Sequence, residues 1–298
     1  MTVASHSRKV NKAKMLVVDD EPDNLDLLYR TFRRDFTVLR AESGQQALEI
    51  LSEHGEVAVI ISDQRMPEMK GTEFLSKTVP EFPDTVRIIL TGFTDVEDLV
   101  DAINAGQVYR YITKPWDPDE LKHVVDQAAH TYDLLKQRGE AIDLLENQHW
   151  VVMRMAEIAQ STGDVTVALP DIATAAQRVI GAQGVAVHLI DQDALADHVG
   201  IAGSASSDLI KQDPLVGEAI ASRDLKYCTD GTKVSDAATQ ATYEAAGMGA
   251  HCVAPVLFRG AVVAIVSLQW TTPQVFSERS QNFIQMTAQQ VALTLACL

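Results

Sequence analysis

The sequence predicts two domains of different class: an α/β domain on a doubly wound parallel sheet, then an α+β domain with a central antiparallel sheet, joined by a helical stretch. Three observations carry this. From Lys14 to about His130, short apolar runs alternate with amphipathic segments. Between Pro118 and Pro170 there is no proline, and Gly139 is the main weak point in a helical pattern. Beyond Thr162 the pattern changes to strands that read as hairpins, with helices before and after them. At 298 residues the chain is longer than most single cores.

In the first half, "KMLVV", "FTVLRA", "VAVIIS", "VRIILTG" and "YRYITKP" read as strands. Between and after them, "DNLDLLYRTFRR", "SGQQALEILSE", "GTEFLSKTV", "VEDLVDAINA" and "PDELKHVVDQAA" read as helices. Such alternation predicts five parallel strands whose carboxyl-end loops share one edge, where open α/β sheets bind ligands. The polar residues gather at those ends: Asp19 and Asp20 after the first strand, Asp63 at the third, Thr91 at the fourth and Lys114 at the fifth. Clustered carboxylates repel unless a cation compensates them, so the placement points to a cation site or to an exposed loop. Taken singly, each aspartate reads equally well as a cap or turn residue, and Lys114-Pro115 as a turn. Together they define a candidate site.

Over about Lys14 to His130 the chain resembles the receiver domain of bacterial two-component response regulators. The resemblance rests on "VVDDEP", on "ISDQRMPEMKG" with Asp63, Met66-Pro67 and Gly71, on "ILTG" with Thr91 and Gly92, and on "YRYITKP" with Tyr111 and Lys114. It implies a flavodoxin-like sheet in the order 2-1-3-4-5. It also implies an aspartyl-phosphate switch, in which Asp63 accepts a phosphoryl group from a histidine kinase or phosphotransfer protein. Asp20 and Asp63 would ligate Mg²⁺ directly, Asp19 through water, and the Arg65 backbone carbonyl would complete the protein ligands. This suits an ion that takes few carboxylates and keeps several waters. Lys114 would neutralise phosphoryl oxygens, Thr91 would donate its hydroxyl to the phosphorylated form, and Tyr111 would turn inward as Thr91 moves. Pro67, Gly71, Gly92 and Pro115, the last after a cis peptide, would shape the loops. Apart from this self-catalysed phosphorylation and dephosphorylation, no enzymatic activity is expected.

The stretch at 131–161 is expected to be a helical connection. In heptads, one seam reads Leu121, Ala128, Leu135, Ile142, His149, Ala156, and its companion Val124, Thr131, Arg138, Leu145, Val152, Ala159. This predicts a parallel coiled coil between two copies of the chain, hence a homodimer. The alternative is an amphipathic helix folded back on its own domains, and the polar seam residues fit either.

In the second half, "DIATAAQRVIGA", "DPLVGEAIASR", "DAATQATYEAAGM" and "SERSQNFIQMTAQQVALTLACL" read as helices, and "GVAVHLID", "HVGIAG" and "LKYCTD" as strands. "AHCVAPVLFRGAVVAIVSLQW" reads as a hairpin turning at Arg259-Gly260. The order resembles a GAF domain over about Val151 to Leu298, with the domain body placed at 162–298 and the receiver at 14–130. Members of that family bind cyclic nucleotides, bilins, haem or nothing. Here Phe276 is followed by Ser277, Glu278 and Arg279, and Cys228 by Thr229, departures from the cyclic-nucleotide and bilin signatures. No bilin, haem or cyclic nucleotide is expected, and the ligand stays unassigned. His188, His198 and His251 lack the spacing of a ligand set. Cys252 reads as a packing residue, and no Ser/His/Asp or Cys/His array suggests hydrolysis.

Composition narrows the function classes. The net charge is −16, with the acidic excess in both halves and no basic stripe, so direct DNA binding is not expected. Cys228, Cys252 and Cys297 are odd in number and read as reduced thiols. No apolar run approaches a membrane span, and residues 1–13 are polar and read as a flexible leader, so a cytoplasmic protein is expected. The expectation is a response regulator whose receiver controls a GAF output that dimerises, engages a partner or senses a small molecule. The alternatives are a GAF-centred sensor that controls receiver phosphorylation, and a regulatory fragment of a larger signalling enzyme.

Overall fold

The computed structural model describes residues 12–92, 108–192, 194–234 and 236–298. The expected leader residues 1–11 and the expected helix at 96–105 lie outside the described residues. Two compact units emerge, Met1–Ala141 and Ile142–Leu298.

The first unit holds β1 (Lys14–Val18), α1 (Pro22–Phe32), β2 (Thr37–Ala41), α2 (Gly44–His54), β3 (Val59–Asp63), α3 (Gly71–Thr78), β4 (Val86–Thr91), β5 (Arg110–Thr113) and the start of α4 (Pro118–Ser161). The sheet runs β2-β1-β3-β4-β5 and every pair is parallel, as expected. Successive side chains of a strand point to opposite faces, so each buried strand feeds two cores. Met15, Val17, Val59, Ile61, Ile88 and Leu90 pack with α1 and with Leu121, Val124, Val125 and Ala128 of α4. Leu16, Val18, Ile60 and Ile89 pack on the other face with α2 and α3. That division is why these strands read as unbroken apolar runs. Arg87 is buried beside α3, yet its guanidinium donates to Thr78 Oγ1 and to the Thr85 and Phe82 carbonyls at 2.8, 2.6 and 2.6 Å. Burial lowers its pKa to about 10.

The second unit holds the end of α4, then α5 (Val165–Ile180), β6 (Gly184–Asp191), β7 (Ala194–Gly203), α6 (Ser207–Ile210), α7 (Pro214–Ser222), β8 (Lys226–Cys228), α8 (Ala237–Ala245), β9 (Ala250–Phe258), β10 (Ala261–Trp270) and α9 (Glu278–Cys297). Its sheet, β7-β6-β10-β9-β8, is antiparallel throughout. One face packs on α4, α5 and α9, and the other on α6 and α7. The β9–β10 hairpin turns at Arg259 and Gly260, with φ of 49° and 85°, the pair of positive values that matches a two-residue turn to strand twist.

Two sequence expectations need adjustment. Helix α5 begins at Val165, six residues before the expected Asp171, because Asp164 caps it by accepting from the Thr166 N–H at 2.8 Å. Pro170 then lies inside the helix rather than before it. Helix α4 does run unbroken through Gly139, but it is not a free connection over all of 131–161: Val151, Met155 and Ile158 belong to the second unit's core. That stripe differs from the expected seams. Leu135, Ile142, Leu145 and Val152 of the same helix are exposed within one chain.

Candidate functional site

The ends of β1, β3, β4 and β5 bring Asp19, Asp20, Asp63, Thr91 and Lys114 to one edge of the first sheet, as the sequence predicts. Asp20, Glu21, Asp63, Gln64, Arg65, Thr91, Gly92 and Lys114 line a cavity of about 250 Å³. Asp19 is fully buried behind it, and Asp63 is 5% exposed.

The site is electrostatically paired. Lys114 Nζ lies 3.0 Å from Asp19 Oδ2 and also bridges to Asp63 Oδ1. Burial pulls the Lys114 pKa down, but hydrogen bonds to Asp63 and Asp19 outweigh it and hold the ammonium above its usual range. The Arg65 N–H donates to Asp63 Oδ2 at 2.6 Å. Asp19 Oδ1 accepts from the Glu21 N–H at 3.0 Å, and both its oxygens accept from Asn24 Nδ2 at 3.1 Å. Asn24 was absent from the sequence reading, although it stands five residues from Asp19, in the first turn of α1. Trp116 is a second omission, with Lys114 Nζ 5.6 Å from its ring centre.

The loop residues have distinct jobs. A Cβ on Gly71 would stand 2.1 Å from the Asp63 carbonyl oxygen, so only glycine lets α3 start against the end of β3. Gln64 ties down the same loop: its Oε1 accepts from the Thr72 N–H at 3.0 Å. Pro67 sits in this loop, and its carbonyl accepts from the Met69 N–H at 2.7 Å. The Lys114–Pro115 peptide is cis, and the Lys114 N–H donates to the Thr91 carbonyl at 2.7 Å. Thr91 is buried, and its hydroxyl donates to the Gly92 carbonyl at 3.1 Å. Tyr111 is 39% exposed and borders a separate cavity of about 390 Å³ with Trp116.

The donor set fits a hydrated dication. Among the described residues no three His, Cys, Asp or Glu side chains converge as metal ligands. Asp20 and Asp63, with the Arg65 carbonyl, at a cavity with room for several waters are nevertheless the kind of donors Mg²⁺ takes while keeping its waters.

His198 is exposed on β7, His188 is buried on β6, and His251 enters a network that the sequence reading did not foresee. Asp213 Oδ2 accepts from Tyr243 Oη at 2.5 Å and from His251 Nδ1 at 2.7 Å. His251 Nε2 stands 2.8 Å from Ser267 Oγ, which accepts from Gln269 Nε2 at 3.2 Å. Burial raises the Asp213 pKa, but the bonds from His251 and Tyr243 outweigh it and hold the carboxyl below its usual range. Burial and Asp213 together push the Tyr243 phenol up. This is a Ser/His/Asp array in geometry that the sequence spacing did not reveal. Ser267 and His251 are fully buried, so no substrate reaches the hydroxyl. Cys252 is packed in the core as expected, and burial pushes its thiol up.

A doubly wound five-stranded sheet with three aspartates, a threonine and a lysine at its carboxyl edge has the architecture of a receiver domain. The sequence profile of the response regulator receiver domain matches residues 15–126, and that of the GAF domain matches residues 162–296. The chain is 42% identical over 123 residues to the hydrogenase transcriptional regulatory protein HoxA of Cupriavidus necator, covering 41% of this chain and 25% of that protein. It is 34% identical over 122 residues to a chemotaxis protein CheY homolog of Campylobacter jejuni, covering 40% of this chain and 93% of that protein. A solved response regulator receiver domain protein from Clostridium thermocellum is 31% identical, covers 41% of this chain and 98% of that one, and superposes with a TM-score of 0.39. The chain belongs to the response regulator receiver family and carries a GAF domain behind its receiver. It spans about a quarter of the length of the hydrogenase regulators. No described helix is long and apolar enough to cross a membrane.

Proposed function

We propose that this protein is a phosphorylation-dependent response regulator: Asp63 takes a phosphoryl group from a histidine kinase or phosphotransfer protein, and α4 relays the state to the GAF domain. The observation that supports this best is the pairing of Lys114 with both Asp63 and Asp19 beside a cavity of about 250 Å³. Asp20, Asp63 and the Arg65 carbonyl would hold Mg²⁺, and Asp19 would hold one of its waters. Bound there, the ion would neutralise charge developing on the transferring group.

A carboxylate oxygen of Asp63 attacks the donor's phosphorus, the donor's P–N bond breaks and its imidazole leaves, and transfer replaces the bridge from Lys114 to Asp63 with a contact from Lys114 to a phosphoryl oxygen. Thr91 then breaks its bond to the Gly92 carbonyl and donates to the phosphoryl group instead. Its movement makes room for Tyr111, now half-exposed, to turn inward and reshape the face around β4 and β5. No other catalysis and no direct DNA contact belong to this reading. Intact-mass measurement after incubation with acetyl phosphate and Mg²⁺ tests it. The wild type gains one phosphoryl group, and Asp63→Asn gains none; a phosphorylated Asp63→Asn protein sinks the assignment.

The second copy of the chain is the occupant we assign to the exposed seam of α4. Leu135, Ile142, Leu145 and Val152 recur at coiled-coil spacing and are uncovered within one chain. Light scattering should give a dimer for the wild type and a monomer for Leu145→Glu; equal masses for the two proteins refute a parallel dimer through this helix.

Small-molecule sensing by the GAF domain is the second reading, favoured by its two cavities of about 530 and 590 Å³. Coupling between sites is reciprocal, so a ligand there would bias the receiver as much as phosphorylation biases the ligand site.

A further inference from the structure

The start of α1 and the back of the receiver cavity share one carboxylate. Asp19 is fully buried, and a carboxylate offers about four acceptor positions. Its Oδ1 accepts from the Glu21 N–H at 3.0 Å and from Asn24 Nδ2 at 3.1 Å, and its Oδ2 accepts from Lys114 Nζ at 3.0 Å and from the same Asn24 nitrogen at 3.1 Å. All of those positions are taken, two of them by one amide. Glu21 caps α1 with no side-chain bond, and Asn24, in the first turn, reaches back past that cap to Asp19. The Glu21 N–H and the Lys114 ammonium each hold one oxygen, whereas Asn24 holds both and so fixes the rotation of the carboxylate plane.

That rotation matters because Asp19 shares Lys114 with Asp63. Lys114 Nζ bridges both carboxylates, so the place of Asp19 Oδ2 sets where the ammonium stands against Asp63. Asn24 is half-buried and is not among the residues that line the cavity, so it reaches Asp63 only through Asp19 and Lys114. It brings two bonds and no charge. Asn24 can also yield one of those bonds to a water of the ion and keep the other, whereas Glu21 and Lys114 each make a single bond to Asp19.

We propose that Asn24 is a positioning residue of the phosphoryl-transfer site: its side-chain amide clamps both oxygens of Asp19 and thereby holds Lys114 in place against Asp63. This rests on the reading of Asp63 as the phosphoryl acceptor and adds a residue to it. Partners that orient the groups around a reacting centre are worth about 10–100-fold, because small displacements of such groups are costly.

The test uses the full chain with acetyl phosphate and Mg²⁺. It compares Asn24→Leu, which keeps the shape of the side chain and loses the amide, with Asp23→Asn at the neighbouring exposed position. Asn24→Leu should take phosphate on Asp63 about tenfold more slowly or worse, and Asp23→Asn at the wild-type rate. Two readouts separate positioning from a loosened fold. Without donor, the Lys114 ammonium signal in nitrogen–proton spectra should shift in Asn24→Leu and stay in place in Asp23→Asn. On a Lys114→Ala background, Asn24→Leu should slow the reaction by less than about twofold, because the two residues act along one line of contacts. Asn24→Ser keeps one donor and replaces Asn24→Leu where that variant does not fold, with a smaller loss expected. An unchanged rate in Asn24→Leu, an unmoved Lys114 signal, or full additivity with Lys114→Ala overturns the proposal. If the wild type takes phosphate on Asp63 in the same experiment, only this inference falls and the phospho-switch stands; a wild type that takes none ends both.

Discussion

Each unit buries a carboxylate against a basic side chain, and the two arrangements differ in access rather than in ingredients. In the receiver, Asp63 and Lys114 stand at the open end of a sheet beside a cavity, with the Lys114 side chain 27% exposed. In the GAF domain, Asp213 and His251 are sealed, at 1% and 0% side-chain exposure. The first pair can exchange a partner for an incoming group, because solvent and ligand reach it. The second pair has every polar atom engaged and nothing to exchange with, so a geometry that elsewhere drives acyl transfer serves here as a brace between α7, α8, β9 and β10. Distances define what a group of side chains could do, and access decides whether it does it.

The comparison breaks first at Asp213. Asp213→Ala removes the acceptor for Tyr243 and His251 together with the cap on α7, whose Leu215 N–H donates to Asp213 Oδ1 at 2.9 Å. Leaving the buried Tyr243 hydroxyl and His251 Nδ1 without their acceptor is expected to destabilise the GAF domain by about 2–6 kcal/mol, at about 1–3 for each group. Ser267→Ala, at the far end of the same chain, should lose only about 1–2 kcal/mol. Urea unfolding of the full chain measures both; equal losses would mean that the network does not centre on the carboxylate. The sign of the pH dependence follows from the lowered Asp213 pKa. Its contribution is complete above the unfolded value of about 3.9 and is lost as pH falls through the folded value. Acid melts should therefore weaken the wild-type GAF domain below about pH 4 more than they weaken Asp213→Ala.

Second in size is the response of the receiver to Mg²⁺. A cation bound to the folded state alone at 100 times its dissociation constant stabilises by about 2.7 kcal/mol. Asp20, exposed at the cavity, should carry much of this, so Asp20→Asn should flatten the Mg²⁺ dependence of receiver melting while leaving that of the GAF domain unchanged. A melting temperature that ignores Mg²⁺ in the wild type would remove the ion from the site.

The receiver was more legible in sequence than the GAF domain for a topological reason. A parallel sheet delivers its functional groups at strand ends, so runs such as "MLVVDD" and "VIISD" announce both strand and site. Asp63, Thr91 and Lys114 could be placed together without knowing any side-chain contact. The brace in the GAF domain has no such announcement. Asp213 precedes a helix, Tyr243 lies within one, and His251 and Ser267 stand in mid-strand, so only the antiparallel fold brings them into contact. The early start of α5 escaped for a local reason: Pro170 reads as a boundary, whereas the Asp164 cap sets the helix start before it. In α4 the heptad count could not tell which apolar residues serve the two cores. Leu121 and Val124 serve one core and Val151 and Met155 another.

The smallest effect marks the exposed limit of the same comparison. Lys136 of α4 reaches Glu56 at 2.6 Å and Asp84 at 3.1 Å, residues that precede β3 and β4. Hydrogen bonding to Glu56 holds its ammonium well above the usual range. With its side chain 38% exposed, that shift is screened by solvent, and exposed ion pairs contribute about 0–1 kcal/mol. Lys136→Met should therefore lower receiver stability by no more than about 1 kcal/mol, with the loss shrinking as salt is raised. A larger, salt-independent loss would place Lys136 with Asp213 among the buried braces, and would make it the fixed point from which α4 leaves the receiver.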